Sequence, residues 1–272
     1  MDELSQETAR SPRPLLVVDG VSKYFGALAA VDNLSFEVMP GEVLGIGGPN
    51  GAGKTTLFDV ITGLDRASSG HILFAGDDIT RAGPERICHA GIARTFQLNA
   101  GFDTLSVREN IEVAAIYGHE APVFPGFRVR PVIRRRVDEA LELSGLTDRA
   151  TTPAGELAVL ERKLLMVATA IVTQPRLLML DEPVGGLTQA EMDAFVAMLA
   201  RIRGEGMAII LIEHVMRFLV TLADRVLIMH HGERIYEGRP DDLANDRRVV
   251  DVYLGDGAAD LIRAALDPGA AP

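Results

Sequence analysis

The sequence predicts an α/β fold with a parallel-sheet core, an antiparallel β layer and an inserted helical subdomain. Three observations lead to this prediction. Short apolar runs at 177–180 and 208–212 are typical of strands that are buried on both faces of a parallel sheet. Residues 15–38 alternate between apolar and polar side chains, which is typical of an antiparallel layer. Residues 105–157 change to the apolar spacing of helices, and this change indicates a helical subdomain.

The predicted organisation divides the chain into five segments. Residues 1–14 are polar, acidic and contain prolines, and we expect them to be disordered. Residues 15–98 are expected to form the antiparallel layer and the first part of the core, residues 99–164 the helical subdomain, and residues 165–255 the second part of the core. Residues 256–272 are rich in Ala, Gly and Pro and are expected to form a flexible tail.

Composition excludes several classes of protein. The 272 residues, 47% of them apolar, suffice for a sizeable core. The net charge of -11 argues against a general nucleic-acid binder, which needs basic surface to neutralise phosphates. No apolar run approaches the roughly 18 to 20 residues that cross a bilayer, and the start of the chain lacks the features of a signal peptide. We therefore expect a cytoplasmic chain, whose single cysteine, Cys88, has no disulfide partner within it.

Residues 48–56 read Gly-Pro-Asn-Gly-Ala-Gly-Lys-Thr-Thr and predict a phosphate-binding loop of the P-loop NTPase kind. The spacing satisfies G-x-x-x-x-G-K-[ST], and a helix is predicted directly after it over 55–64. Its glycines allow successive N–H groups to surround phosphates. Lys54 is expected to reach the β- and γ-phosphates, and Thr55 to coordinate Mg²⁺. The predicted nucleotide contacts in the loop are Gly48, Pro49, Asn50, Gly51, Ala52, Gly53, Lys54, Thr55 and Thr56.

Two carboxylates, Asp181 and Glu182, follow the apolar run 177–180. They are expected at the carboxyl end of a parallel strand, which is the edge where ligands bind in such sheets. The two acids could merely cap the strand. Opposite a phosphate loop, however, we expect Asp181 to hold Mg²⁺ and Glu182 to orient or deprotonate the attacking water. His214 comes after the next apolar run, 208–212, at a similar place in the predicted sheet. A lone histidine after a strand is more often a structural residue.

A basic stretch at 128–136 contains five arginines and follows a segment rich in Pro and Gly. One interpretation is a solvated loop and the start of a helix, in which the charges simply face water. The alternative is a site for anionic lipid headgroups or for an acidic partner.

The ordered set of motifs resembles the ATP-binding cassette family of transport ATPases over roughly residues 15–255. This resemblance implies a RecA-like core that binds and hydrolyses ATP with Mg²⁺. By position, Phe25 matches the aromatic residue that stacks on adenine, with Tyr24 as the alternative. Gln97 matches the glutamine that touches Mg²⁺ and the attacking water and whose loop contacts the membrane subunit. His214 matches the switch histidine that contacts the γ-phosphate.

Within this family the chain is most similar to the ATPase subunits of branched-chain amino acid importers. Importers of urea or amides and the lipopolysaccharide-export ATPase share much of this pattern. The resemblance implies a subunit that couples ATP hydrolysis to solute import at the cytoplasmic face of the membrane. Its expected partners are a second cassette, which we expect to be a different chain, and two transmembrane permease subunits, without nucleic acid. The stretches that carry the resemblance are Arg94-Thr95-Phe96-Gln97, Val172-Thr173-Gln174-Pro175, Ile212-Glu213-His214 and Asp251-Val252-Tyr253-Leu254-Gly255.

The signature segment departs from the family pattern. In the family, each ATP lies between the phosphate loop of one cassette and the Leu-Ser-Gly-Gly-Gln signature of the other. The family spacing places this signature on 157–161, which reads Leu-Ala-Val-Leu-Glu. Ala158 has no hydroxyl, Leu160 hinders close approach of a backbone amide, and Glu161 adds a negative charge near an anion. An alternative alignment uses 154–156. It retains a glycine, but this glycine lies away from the expected spacing.

A second departure is Thr188, at a position where the family usually offers Asp or Asn across the dimer. Together the departures favour an asymmetric mechanism, in which this chain hydrolyses ATP when a different cassette supplies a regular signature. The alternative is a catalytically weak or regulatory cassette in an asymmetric heterodimer. A cassette acting on ribosomes or DNA is disfavoured, because the chain has neither two fused cassettes nor a long coiled-coil insertion.

Overall fold

A computed structural model of the chain describes residues 13–96, 101–118 and 130–253. Several predictions made from the sequence fall outside these residues. They concern residues 1–12 of the segment that was predicted to be disordered, Gln97, the start of the basic stretch at 128–129, and the tail at 256–272. Within the described ranges no helix is both long enough and apolar enough to cross a bilayer.

The chain alternates strands and helices through most of its length. The described strands are β1 (Leu16–Phe25), β2 (Leu28–Val38), β3 (Val43–Gly47), β4 (Ser69–Phe74), β5 (Asp77–Asp78), β6 (Ile92–Arg94), β7 (Leu177–Asp181), β8 (Ala208–Ile212), β9 (Arg225–His230) and β10 (Glu233–Gly238). The described α-helices are α1 (Lys54–Ile61), α2 (Pro84–Ala90), α3 (Val107–Tyr117), α4 (Pro131–Ser144), α5 (Val159–Ile171), α6 (Gln189–Gly204), α7 (Met216–Leu222) and α8 (Arg247–Tyr253).

An antiparallel sheet with the order β2-β1-β4-β5 forms one layer. Leu16 pairs with Val38 on one side and with Phe74 on the other, and all three side chains are buried. Its apolar face packs into one core with α1 and with one face of the second sheet. The alternation at 15–38 therefore correctly predicted two paired strands, whose inward side chains cover the helix that follows the phosphate loop.

The second sheet has the order β10-β9-β3-β8-β7-β6, and all its neighbours are parallel except β10 and β9. Every residue of β3, β7 and β8 is buried, as the continuous apolar runs predicted. The carboxyl ends of β3 and β7 lie at the same edge, separated by β8. The predicted α/β fold is thus confirmed, and its parallel sheet places the phosphate loop beside the two carboxylates.

The helical subdomain consists of α3, α4 and the first part of α5, which pack against one another. Helix α5 runs across position 164, where the sequence predicted a boundary between segments. The helix predicted over 55–64 is present, but it begins one residue earlier, at Lys54, and ends three residues earlier, at Ile61, before the left-handed Gly63. Among the described residues, β6 pairs with β7 through Ile92–Arg94, at the edge of the sheet.

Candidate nucleotide-binding and hydrolysis site

A cavity of about 360 Å³ opens at the carboxyl edge of the parallel sheet. It gathers the predicted phosphate loop, one predicted carboxylate and one predicted aromatic residue around a single space. The residues that line it are Phe25, Leu28, Ala29, Ala30, Asn50, Gly51, Ala52, Gly53, Lys54, Thr55, Thr56, Glu182 and His231. Its volume falls in the lower part of the range that is usual for small-molecule sites.

The glycines of the loop are required by geometry at two positions. Gly48 and Gly53 have φ angles of 151° and 101°, which side chains rarely tolerate. A Cβ atom at Gly53 would lie 2.0 Å from the carbonyl oxygen of Ala30, and one at Gly48 would lie 2.4 Å from that of Met229. Because both contacts are with backbone atoms, the loop fits against β2 and β9 only with glycine at these positions.

Lys54 is the first residue of α1, so the lysine and the N-terminus of the helix share one end of the cavity. Its Nζ donates to the carbonyl oxygens of Gly48 and Pro49 at 2.7 and 3.0 Å. Burial lowers the pKa of the Lys54 ammonium group, while the carboxylates of Glu182 and Asp181 oppose this effect. A helix N-terminus and an adjacent lysine form a strongly anion-attracting end of the site.

Asp181 ends β7 and is only 3% exposed. Its Oδ2 accepts a hydrogen bond from Arg94 Nη2 at 2.8 Å, whereas its Oδ1 is buried and, among the described residues, receives no hydrogen bond. Burial raises the pKa of the Asp181 carboxyl group, and the guanidinium of Arg94 opposes this rise. A buried carboxylate oxygen without a donor fits a hard divalent cation such as Mg²⁺.

Arg94 was not among the site residues predicted from the sequence. Its guanidinium group lies between Asp59 and Asp181, with Nη1 donating to Asp59 Oδ1 at 2.6 Å. The cluster holds two carboxylates and one guanidinium, which leaves a surplus negative charge that favours a cation. An arginine in an otherwise apolar strand was a usable signal, because a buried charge requires a partner.

Glu182 follows Asp181 in a left-handed backbone conformation, with φ 47°. Such a conformation is costly for a residue other than glycine and is typical of functional sites. The backbone N–H of Glu182 donates to the carbonyl oxygen of Ile212 at 3.0 Å, and its side chain lines the cavity. His214 Nδ1 lies 3.9 Å from Glu182 Oε1, so the predicted histidine and the predicted base are close neighbours.

Glu213 supports this arrangement from within the core. Its side chain is fully buried, and its Oε1 and Oε2 accept hydrogen bonds from the backbone N–H groups of Val184 and His214 at 3.0 and 3.2 Å. Burial raises the pKa of the Glu213 carboxyl group. These bonds connect the loop after β7 to the loop after β8, and therefore fix the positions of Glu182 and His214 relative to each other.

His231 was also missed by sequence reasoning. It lines the cavity and has a φ of 49°. The next residue, Gly232, donates its N–H to the carbonyl oxygen of Ala52 at 3.0 Å and accepts from the N–H of Asp32 at 2.9 Å. The turn between β9 and β10 is therefore attached to the phosphate loop, and only the fold brings His231 there.

The two aromatic candidates before the loop differ in position. Phe25 is 51% exposed and lines the cavity, and the Nζ of Lys23 lies 4.7 Å from the centroid of its ring. Tyr24 is absent from the cavity lining, and its hydroxyl donates to Asp32 Oδ1 at 3.1 Å. The geometry thus favours Phe25 as the ring that faces a nucleotide base.

The altered signature segment lies at the N-terminus of α5, with Ala158 at the N-cap position. Glu161 Oε2 accepts from the backbone N–H of Ala158 at 3.0 Å, and its Oε1 accepts from Arg149 Nε at 2.7 Å. Glu161 therefore carries the negative charge that the sequence predicted, and Arg149 partly offsets it. Leu160 is half-buried against the core of the subdomain, so its side chain occupies the place where a glycine would leave the backbone open.

The alternative alignment on 154–156 falls on a single 3-10 turn rather than at the start of a long helix. The carbonyl oxygen of Gly155 accepts from Arg162 Nη2 at 2.6 Å, and its N–H donates to the carbonyl oxygen of Asp103 at 3.0 Å. Backbone groups that are bound in this way are not available to a phosphate. The N-terminus of α5 is therefore the better candidate for the signature segment, because helix N-termini bind anions.

Thr188 has a structural use that the sequence reasoning did not foresee. It is the N-cap of α6, where its hydroxyl accepts from the N–H of Glu191 at 3.4 Å and its own backbone N–H donates to Glu191 Oε2 at 2.8 Å. This reciprocal arrangement is a capping box. The threonine hydroxyl therefore stabilises a helix of its own chain.

Comparisons with known proteins agree with this geometry. A family model described as ABC transporter matches residues 31–185. The high-affinity branched-chain amino acid transport ATP-binding protein LivG of Escherichia coli is 35% identical over 252 residues, which cover 90% of this chain and 99% of the relative. The corresponding protein BraF of Pseudomonas aeruginosa is 34% identical over 252 residues, with the same coverage of both chains.

Solved structures show the same similarity. One is the nucleotide-free form of an ATP-binding cassette from an ABC transporter, which superposes with a TM-score of 0.81 at 30% identity and covers 90% of this chain and 100% of the other. Another is the ADP conformation of an ATP-binding cassette of an ABC transporter, with a TM-score of 0.82 at 30% identity and the same coverage.

Proposed function

The chain belongs to the ABC transporter family, and we propose that it is the ATP-binding and ATP-hydrolysing subunit of an importer. The proposed solute is a branched-chain amino acid or a related amino acid or amide, because the relatives LivG and BraF are branched-chain amino acid transport proteins. The single observation that carries the hydrolytic function is the shared sheet edge, where the phosphate loop and Glu182 face one cavity with Asp181 directly beside it.

Each protein group in the cavity has a proposed task in binding ATP. The backbone N–H groups of residues 48–56 and the N-terminus of α1 bind the phosphates, and Lys54 contributes its ammonium group to the same anion. Phe25 stacks on the adenine base with its exposed ring. These contacts hold the nucleotide with its terminal phosphate toward Glu182.

Thr55, Asp181 and Gln97 are the proposed residues that would hold Mg²⁺, and Gln97 lies outside the described residues. Bound Mg²⁺ would neutralise charge on the phosphates during phosphoryl transfer. Glu182 orients the attacking water and accepts its proton, because its carboxylate lines the cavity on the phosphate side. His214 is proposed to contact the terminal phosphate, beside Glu182.

The proposed partners are two transmembrane permease subunits and a second cassette of a different sequence, which together hold this chain at the cytoplasmic face of the membrane. A largely apolar cavity of about 280 Å³ lies where α3 and α5 meet the residues after β6, and Phe96, Phe102 and Met166 line it. Its exposed aromatic side chains support this face as the one that contacts a permease. The proposed signal path runs through this face and the Gln97 segment.

A catalytically weak or regulatory cassette is a second candidate. The observation that favours it is the start of α5, where Ala158 lacks a hydroxyl and Leu160 fills the space of a glycine. A composite site that is built from this segment would bind a terminal phosphate poorly.

ATP hydrolysis by the chain, reconstituted with its permeases and its partner cassette, separates the two candidates. Glu182→Gln should abolish most of the turnover while ATP binding is retained, because the amide fills the same space but cannot accept a proton. Asp193→Asn, on the exposed side of α6, provides a control that removes a carboxylate outside the site. Unchanged turnover in the Glu182→Gln complex would reject the hydrolytic function and support the regulatory one.

A further inference from the structure

We propose that Arg94 is a positioning residue that fixes the direction of the Asp181 carboxylate toward a divalent cation, an inference that rests on the proposed function. Arg94 Nη2 donates to Asp181 Oδ2 at 2.8 Å. Its Nη1 donates to Asp59 Oδ1 at 2.6 Å and lies 3.3 Å from Thr62 Oγ1. One planar group thereby joins the helix after the phosphate loop to the end of β7.

The guanidinium group is itself held rigidly. Its side chain is 6% exposed, and its central carbon lies 5.4 Å from the ring centroid of Phe58 and 5.1 Å from that of Phe96. Aromatic faces at these distances attract a cation and restrict its movement. Because the five N–H donors of arginine have a fixed fork geometry, a rigid guanidinium transmits its orientation to both carboxylates.

This orientation determines which oxygen of Asp181 remains available. Oδ2 is occupied by Arg94, so the carboxylate can rotate only if that bond breaks. Oδ1, which is buried and lacks a donor among the described residues, is left as the oxygen for a metal ion or its bound water. Groups that orient a metal ligand in this way commonly change metal affinity by roughly 10- to 100-fold when they are mutated.

The charge of Arg94 and its role in positioning Asp181 predict different effects on metal binding. Arg94 is a cation beside the ligand, and a purely electrostatic account makes it a competitor of the metal ion. Arg94→Lys separates the two effects, because it keeps the charge but loses the fork that holds Asp59 and Asp181 at once. A lysine offers a single ammonium group on a flexible stem, so it cannot fix both carboxylates in their present directions.

The test titrates the full-length chain with Mn²⁺ in the presence of a non-hydrolysable ATP analogue and measures bound Mn²⁺ by electron paramagnetic resonance. We expect Arg94→Lys to weaken Mn²⁺ binding by about 10-fold or more. Affinity for the analogue without metal should stay within about twofold, because Arg94 is absent from the lining of the nucleotide cavity. Thermal unfolding verifies that the variant is folded.

One further variant completes the design. Asp59→Asn removes one carboxylate of the cluster but keeps an amide oxygen that can accept from the guanidinium group, so it should weaken Mn²⁺ binding less than Arg94→Lys does. The inference is overturned by either of two results: unchanged Mn²⁺ affinity in a folded Arg94→Lys protein, or equal losses of analogue affinity with and without metal.

Asp181→Asn distinguishes this inference from the proposed function. If this variant binds Mn²⁺ as tightly as the native chain, the assignment of Asp181 as a metal ligand fails, and the role of Arg94 fails with it. If Asp181→Asn weakens Mn²⁺ binding and Arg94→Lys does not, only the positioning role is wrong.

Discussion

The phosphate-loop edge of the parallel sheet and the N-terminus of α5 are both helix starts that could face an anion, but they are equipped differently. At the first, glycines open the backbone of the loop, and Lys54 adds a cation at the start of α1. At the second, Ala158 offers no hydroxyl and Leu160 stands at a position where the family signature has glycine, while the acid at 161 is paired with Arg149. A helix N-terminus alone is therefore not a phosphate site; the side chains and glycines around it decide whether an anion can approach.

This difference has a simple consequence for a dimer of cassettes. Under the proposed function, the half-site at the phosphate loop has all its predicted residues within the described ranges except Gln97. We expect the half-site at α5 to bind a terminal phosphate poorly. Two copies of this chain would pair each complete half with a deficient one, whereas a different partner with a regular signature would generate one fully equipped site.

The largest expected effect comes from replacing a glycine of the phosphate loop by a residue with a side chain. Gly53→Ala should lower ATP affinity by about 100-fold or more, because its Cβ would lie 2.0 Å from a carbonyl oxygen of β2 and the loop must shift by about 1 Å. Isothermal titration calorimetry with ATP measures the loss. Gly206→Ala is the matched control: Gly206 also has a positive φ, but it lies outside the cavity lining and a Cβ there meets no atom within 4 Å. Equal losses in both variants would contradict the steric explanation.

Restoring the serine and the glycine of the family signature at the N-terminus of α5 should have the next largest effect. Ala158→Ser combined with Leu160→Gly should raise the ATPase activity of the isolated chain at high concentration by roughly 10-fold or more, since a restored hydrogen bond to a charged phosphate contributes about 1.5–3 kcal/mol. Ala158→Ser alone should also stabilise α5 by about 1 kcal/mol, because serine is a good N-cap residue. If the thermal unfolding of that single variant improves and the ATPase activity of the double variant does not, the segment is not the missing part of the site.

His231 is expected to contribute a smaller part of nucleotide affinity. Its loss in His231→Ala should weaken ATP binding by about 2- to 10-fold, the range of one hydrogen bond or one ring contact. His230→Ala is a suitable control, because its ring contacts that of His231 at a tilt of 56°, with centroids 4.0 Å apart, but is absent from the cavity lining. A fluorescent ATP analogue reports the affinities, and an effect that is confined to the control would reject the role of His231.

Thr188 should affect stability rather than turnover. Thr188→Ala removes the hydroxyl that accepts from the N–H of Glu191 in the capping box and should reduce the free energy of unfolding by about 1 kcal/mol. Chemical denaturation measures this change, and ATPase activity in the assembled transporter should stay within about twofold. A strong loss of turnover with unchanged stability would indicate that Thr188 acts across the dimer instead.

Local sequence patterns were sufficient for the parts of the site that consist of consecutive residues. The phosphate loop and the pair Asp181-Glu182 were identified because their chemistry depends on short spacings, and the buried runs before them correctly predicted the parallel strands that place them. The antiparallel layer followed in the same way from strict alternation. Each of these features is specified by residues that are close together in the chain.

Features that depend on distant contacts could not be predicted in this way. Arg94 meets Asp59 and Asp181 only because β6, α1 and β7 come together in the fold. His231 reaches the cavity through the bond between the β9–β10 turn and Ala52. The pairing of Glu161 with Arg149 likewise follows from the way the subdomain folds.

The asymmetry of the two half-sites is tested most directly by comparing one substitution in two places. The assembled transporter would carry Glu182→Gln in this chain or the equivalent change in its partner cassette, and ATP hydrolysis would be measured in both complexes. We expect the change in this chain to reduce turnover by about 100-fold or more, as is usual for the loss of a general base, while the change in the partner reduces it by less than about threefold. Equal loss of turnover in the two complexes would contradict the account.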